Sequence, residues 1–225
     1  MTKSSKVIVA LDCFRVERHA LDLAARLAAG RGWSLTVLFI ENIELYRAAA
    51  LPFVREVDRL SATLQPFEPA QLEWLLKRQI ARIEDWLTEI RSRWSLPGGV
   101  EIEQGEYVET TLALAGCGDL VVFSSRRHWL AAGLRPAVWV WYDGSPQAEK
   151  ALEMAADLAK QEHCKLLVAV PEEHRRPVLG QVIRTTPQRW LDLLQQQGCT
   201  AVFCPRTSPL AVQLTEKARC PVLVV

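Results

Sequence analysis

The sequence predicts an α/β protein made of two tandem units, each a parallel sheet flanked by helices. Three observations lead there. A short apolar strand ending in an aspartate and leading to an Ala/Leu-rich helix occurs twice, with Asp12 and Asp143 standing 131 residues apart (143 − 12). Apolar runs and helical segments alternate along both halves. A hydrophobic content of 49% over 225 residues supplies a packed core for each.

In the first half, Val7-Ile8-Val9-Ala10-Leu11-Asp12 reads as the opening strand, Glu17 to Ala28 as its helix, and Ser34 to Ile40 as the second strand. From Gln71 to Trp94, Leu72, Leu76, Ile80, Ile83, Leu87, Ile90 and Trp94 recur at spacings of three and four, which predicts a long amphipathic helix. Pro97-Gly98-Gly99 stops it. Val100-Glu101-Ile102 reads as a strand, Glu109 to Gly116 as a short helix, and Leu120 to Phe123 as a buried strand. The second half opens with Val138-Trp139-Val140-Trp141-Tyr142-Asp143-Gly144-Ser145, then a helix over Ala148 to Lys160 and a strand over Lys165 to Val170. Only Pro171 to Gln181 precedes the next apolar run, Val182-Ile183, so the long helix has no counterpart here. A helix near Gln188 to Gln196, a strand at Thr200 to Cys204, a helix near Leu210 to Ala218 and a terminal strand Val222 to Val225 complete the chain. The first half lacks those last two elements. The domains are accordingly drawn at 1–134 and 135–225.

With 27 Lys and Arg against 26 Asp and Glu, the net charge of +1 provides no field that would draw the chain to nucleic acid or an anionic membrane. No apolar run approaches the roughly 20 residues a bilayer crossing takes. The polar start, Met1 to Lys6, has neither the apolar length nor the cleavage site of a signal peptide. No membrane insertion and a cytoplasmic location are expected. Cys13, Cys117, Cys164, Cys199, Cys204 and Cys220 form no Cys-x-x-Cys pair, which fits reduced, buried thiols better than a disulfide framework or a zinc site. His163-Cys164 is the only Cys/His neighbour pair, and neighbours on a strand point to opposite sides, so no metal site is expected.

At these residues the chain resembles the universal stress protein family. The resemblance rests on the opening Val-x-Val-x-Leu-Asp and Val-x-Val-x-Tyr-Asp-Gly-Ser elements, the Ala-Leu-x-x-Ala helices after them, and the ending Ala218-Arg219-Cys220-Pro221-Val222-Leu223-Val224-Val225. It covers nearly the whole chain; Tyr142-Asp143-Gly144-Ser145 and Cys220 to Val225 are its specific pieces. It implies a Rossmann-like sheet in each half, with the tandem pair mimicking the family's usual dimer. ATP-binding members of the family carry Gly-x-x-Gly, nine residues, then Gly-Ser/Thr between the fourth strand and the closing helix. Those glycines let backbone N–H groups approach phosphates at a helix N-terminus. Neither half has this motif. The first reads Ser124-Ser125-Arg126-Arg127-His128-Trp129-Leu130-Ala131-Ala132-Gly133, and the second Cys204-Pro205-Arg206-Thr207-Ser208-Pro209, where a proline that donates no hydrogen bond follows Ser208.

Asp12 and Asp143 end the first strands, where open α/β sheets form ligand crevices. The resemblance implies that an acid there faces an adenine; the plainer alternative is that each caps the turn into the next helix. Arg126 and Arg127 stand where a glycine loop would hold phosphates and could bind an anion by side chain. Ser208, with Arg206 and Thr207, is the parallel candidate in the second half. The helix from Gln71 to Trp94 either packs its stripe on its own sheet or offers it to a partner, and Trp74 adds apolar surface off that stripe. No nucleophile, base and orienter form a constellation, and no GxSxG or P-loop is present; Ser124-Ser125 near His128 has suitable residue types without a framework.

The expected function is a non-enzymatic stress-response or regulatory role through a protein partner, without cofactor and with family-type ATP binding lost or weakened. The alternative is a sensor that binds a nucleotide such as ATP, or another anion, through Asp12 or Asp143 and Arg126 and Arg127. A third, weaker reading is a hydrolase of such a ligand. Val222-Leu223-Val224-Val225 is apolar and uncharged and is expected at a sheet edge, where an unpaired strand invites association. A homodimer through this strand follows as an expectation.

Overall fold

The structure, a computed structural model, describes residues 5–57, 63–125, 137–172, 179–196 and 199–225. Among these, the first half contributes β1 (Lys6–Asp12), α1 (Arg18–Arg31), β2 (Ser34–Glu41), α2 (Ile43–Ala49), the hairpin β3 (Arg55–Val57) and β4 (Leu64–Pro66), α3 (Pro69–Trp94), β5 (Val100–Gln104), α4 (Tyr107–Leu114) and β6 (Leu120–Phe123). The second half contributes β7 (Ala137–Trp141), α5 (Pro146–Gln161), β8 (Lys165–Val170), β9 (Gln181–Arg184), α6 (Pro187–Gln196), β10 (Ala201–Cys204), α7 (Leu210–Lys217) and β11 (Val222–Val224). The division at 134 falls outside the described residues.

The described strands other than the hairpin form one sheet of nine, ordered β5-β2-β1-β6-β11-β10-β7-β8-β9. The order outward from the middle repeats. β6-β1-β2-β5 in the first half answers β10-β7-β8-β9 in the second, with β11 inserted between the two sets. Strands within each set are parallel, and the sets meet where β11 pairs antiparallel with β6, Leu223 opposite Val122.

This corrects the expectation for the terminal strand. β11 is interior, hydrogen-bonded to β10 on one side and β6 on the other, so Val222 to Val225 offers no free edge to a second copy. A homodimer through that strand is therefore contradicted. The physical reason lies in the trimming of the first half. Having no closing strand of its own among the described residues, it exposes the side of β6, and β11 of the same chain satisfies those amides and carbonyls. The two predicted sheets are thus one.

Period-two alternation sends side chains of each strand into two separate cores. Val7, Val9 and Leu11 join α1, α3 and α5 on one face, while Ile8 and Ala10 join α4, α6 and α7 on the other. With both faces covered, the strands read as continuous apolar runs, and each fully buried Val, Leu or Ile contributes about 1.5–3 kcal/mol. The α3 stripe (Leu72, Leu76, Ile83, Leu87 and Ile90) is buried in the first of these cores, so it serves its own domain, while Trp74 stays exposed. After α3, Gly98 adopts φ +146° and runs against the backbone of Leu35, where a side chain would collide. The short helix α4 begins at Tyr107, two residues before the predicted start, because the Tyr107 ring belongs to the core beside Phe123. Ion pairs Arg26–Glu162 (2.6 Å) and Arg31–Asp157 (3.2 Å) link α1 to α5 across the junction of the halves. No helix among the described residues is long and apolar enough to cross a membrane.

Candidate functional site

Because the two strand sets run in opposite directions, the carboxyl ends of β1 and β7 lie at opposite ends of the sheet. Asp12 and Asp143 are therefore not brought together. Asp12 lies in the wall of one cleft; a second cleft, at the other end of the sheet, is not lined by Asp143.

In the first crevice Asp12 is only 4% exposed. Its Oδ1 accepts the Phe14 amide (2.8 Å), closing the turn, and its Oδ2 accepts Arg15 Nη1 (2.7 Å) in a buried ion pair. The Arg15 guanidinium lies 4.0 Å from the centre of the Tyr107 ring, a cation–π contact. Tyr107 in turn donates its hydroxyl to the Ala10 carbonyl (2.8 Å) and accepts the Ser124 amide (3.1 Å). Burial, and then the nearby Asp12 charge, push the Tyr107 hydroxyl above the ordinary tyrosine range, so it remains a donor. Above this network opens a cleft of about 350 Å³ whose wall includes Asp12, Glu106, Glu109 and Glu216, with Arg15 as its only basic residue among the described residues.

After β7 the same turn is built differently. Asp143 Oδ1 accepts the Ser145 amide (3.0 Å), repeating the Asp12 turn, but the carboxylate is exposed. Ser145 caps α5 by accepting the Ala148 amide (3.1 Å), and Pro146 begins the helix. Ser208 is buried, and its Oγ accepts the Leu210 amide (3.3 Å) at the start of α7. Arg206 reaches across the junction and donates to the carbonyls of Leu112, Ala115 (3.0 Å) and Gly116 (3.4 Å), which ends α4. A cleft of about 540 Å³ lies beside it, lined by Gly116 to Asp119, the first turns of α5 with Lys150, and Arg206 and Thr207.

Of the residues singled out in the sequence, Asp12, Asp143 and Ser208 are placed at turns and helix starts, while Arg126 and Arg127 lie outside the described residues, as does His128. The sequence reading missed Arg15 and Tyr107, and gave Arg206 an anion where it has helix carbonyls. An acid–base pair three apart in a turn was the available signal for Arg15; the distant Tyr107 carried none. Among the described residues no group of His, Cys, Asp and Glu could hold a metal ion.

Strand order repeated about a central junction, with an acid closing the first strand of each half, defines a universal-stress-type α/β fold. A solved universal stress protein from Archaeoglobus fulgidus is similar to this chain with a TM-score of 0.50 and 14% identity, over 98% of this chain and 96% of that one. No family model matches the chain, and no curated protein matches it.

Proposed function

We propose that this chain is a non-enzymatic stress-response or regulatory protein that acts by binding a protein partner, with family-type ATP binding lost or weakened. The observation that carries the reading is the engagement of Asp12: the residue is buried, one oxygen holds the Phe14 amide and the other is neutralised by Arg15, so a nucleotide base would have to compete with contacts already made. The acid-lined cleft above it supports the same conclusion, because three further carboxylates repel a polyphosphate. A partner finds apolar surface on the first half instead. Val57 and Leu64 face each other across the hairpin and are each 60% exposed; Phe53 before the hairpin and Trp74 after it are exposed as well. Exposed aromatic residues of this kind anchor interfaces.

A photo-crosslinking residue in place of Trp74 tests this in cells. The expected result is a discrete set of adducts that disappears when Phe53 and Leu64 are changed to Ser. The contrary result is an absence of adducts, together with an ultraviolet-absorbing nucleotide released from the purified protein on denaturation. That outcome would favour the sensor reading, working through Asp143 or through Arg126 and Arg127.

A further inference from the structure

Three cysteines gather at the amino-terminal ends of the second half's central strands. Cys164 directly precedes β8, Cys199 precedes β10, and Cys220 precedes β11. The closest pair is Cys199 and Cys220, whose sulfurs touch at 2.7 Å across 21 positions of sequence. Both thiols are free. Their placement suits a bond between them: β10 and β11 are adjacent parallel strands, the pairing of Val202 with Val222 carried back puts Cys220 opposite Thr200, next to Cys199, and the sulfurs meet where both chains have yet to enter the ladder. Cys220 is buried and Cys199 half-buried, so small oxidants reach the pair from the Cys199 side.

We propose that Cys199 and Cys220 form an intramolecular disulfide when the protein meets a peroxide. The peroxide oxygen passes to the Cys199 sulfur, giving a sulfenic acid and one water as the O–O bond breaks. The Cys220 sulfur then attacks the sulfenic sulfur, the S–O bond breaks, and a second water leaves. Two thiols lose two electrons and two protons in all, and the peroxide is reduced to two waters. Burial and the neighbouring Cys220 sulfur push the Cys199 thiol well above the ordinary thiol range, so the first step is slow and needs sustained exposure.

The position of the bond gives it a structural consequence. β11 is the strand that joins the halves, held by β10 on one side and β6 on the other. A disulfide at its start ties it to β10 and closes a loop that contains α7, restricting the unfolded chain. This inference is independent of the nucleotide reading.

The test uses the full chain, incubated with hydrogen peroxide for hours, alkylated without reduction and digested with trypsin. The expected product is segment 190–206 linked to segment 220–225. Fragmentation then assigns the link to Cys199 rather than Cys204, which lies at the far end of β10. The melting temperature rises by roughly 5–10 °C, falls back with dithiothreitol, and is unmoved by peroxide in Cys220→Ser. The proposal is overturned if the 220–225 segment is recovered alkylated after prolonged exposure, or if Cys199 is found joined to Cys164. The mapping is done on the unaltered chain, so it stands whether or not the variant folds.

Discussion

Asp12, at the end of β1, and Asp143, two residues after β7, close the same turn, yet one is buried in an ion pair and the other is exposed. The difference traces to the third residue onward, Arg15 in one case and Pro146 in the other. Arg15 folds back onto the carboxylate and under Tyr107, and α1 starts only at Arg18. Pro146 instead begins α5 at once, with fixed φ and no amide to satisfy, leaving no side chain to cover Asp143. Two copies of one strand-turn-helix unit thus take opposite courses: one seals its crevice from within, and the other leaves its acid in solvent.

The largest test of this contrast is Arg15→Ala. It strands a buried carboxylate, and is expected to cost about 3–5 kcal/mol in urea denaturation, whereas Asp143→Ala should stay within about 0.5 kcal/mol. Equal losses at the two sites would break the comparison. Next is Tyr107→Phe, which removes the hydroxyl shared by the Ser124 amide and the Ala10 carbonyl and leaves them only their 3.4 Å bond to each other; about 1–2 kcal/mol is expected by the same measurement.

Arg206→Ala removes the donors that end α4, and about 1–2 kcal/mol should be lost, with faster hydrogen exchange confined to the last turn of that helix. Arg206→Lys should restore only part, since an ammonium lacks the planar fork by which Nη2 reaches Leu112 while Nη1 reaches Ala115 and Gly116. If exchange in α4 is unchanged, Arg206 is not its cap.

The smallest expected effect is alkaline. Burial raises the Cys204 thiol from 9.0 to about 12. The folded state therefore holds this proton more tightly than the unfolded chain. The resulting stability is present in full below pH 9 and is lost as pH rises toward 12. At pH 10 the parent should have lost about 1 kcal/mol more than Cys204→Ala, each measured against its own stability at pH 8. Parallel declines in the two proteins would show that Cys204 titrates as it would in water.

Most of the fold was legible because its signals are local. Strand runs such as Leu120 to Phe123 and Lys165 to Val170 are bounded as the structure has them, and α3 is announced by its own periodicity. The junction was not legible. Whether β11 pairs with β6 or with another chain depends on which amides remain unsatisfied elsewhere, and nothing within Val222 to Val225 encodes that. The hairpin and α2 were missed because Arg55–Val57, Leu64–Pro66 and Ile43–Ala49 are too short to show a period. Cys199 and Cys220 were legible as thiols but not as neighbours, because their contact is made by strand order.

The proposed function requires that the first crevice, with Asp12 held in an internal ion pair, does not bind a nucleotide. Thermal melting of the intact protein with and without millimolar ATP and magnesium tests it most directly. A ligand present at a hundredfold excess over its dissociation constant would add about 2.7 kcal/mol, a shift of several degrees for a chain of this length. The melting temperature should stay unchanged; a rise of several degrees that is lost in Asp12→Asn would show that Asp12 serves a nucleotide.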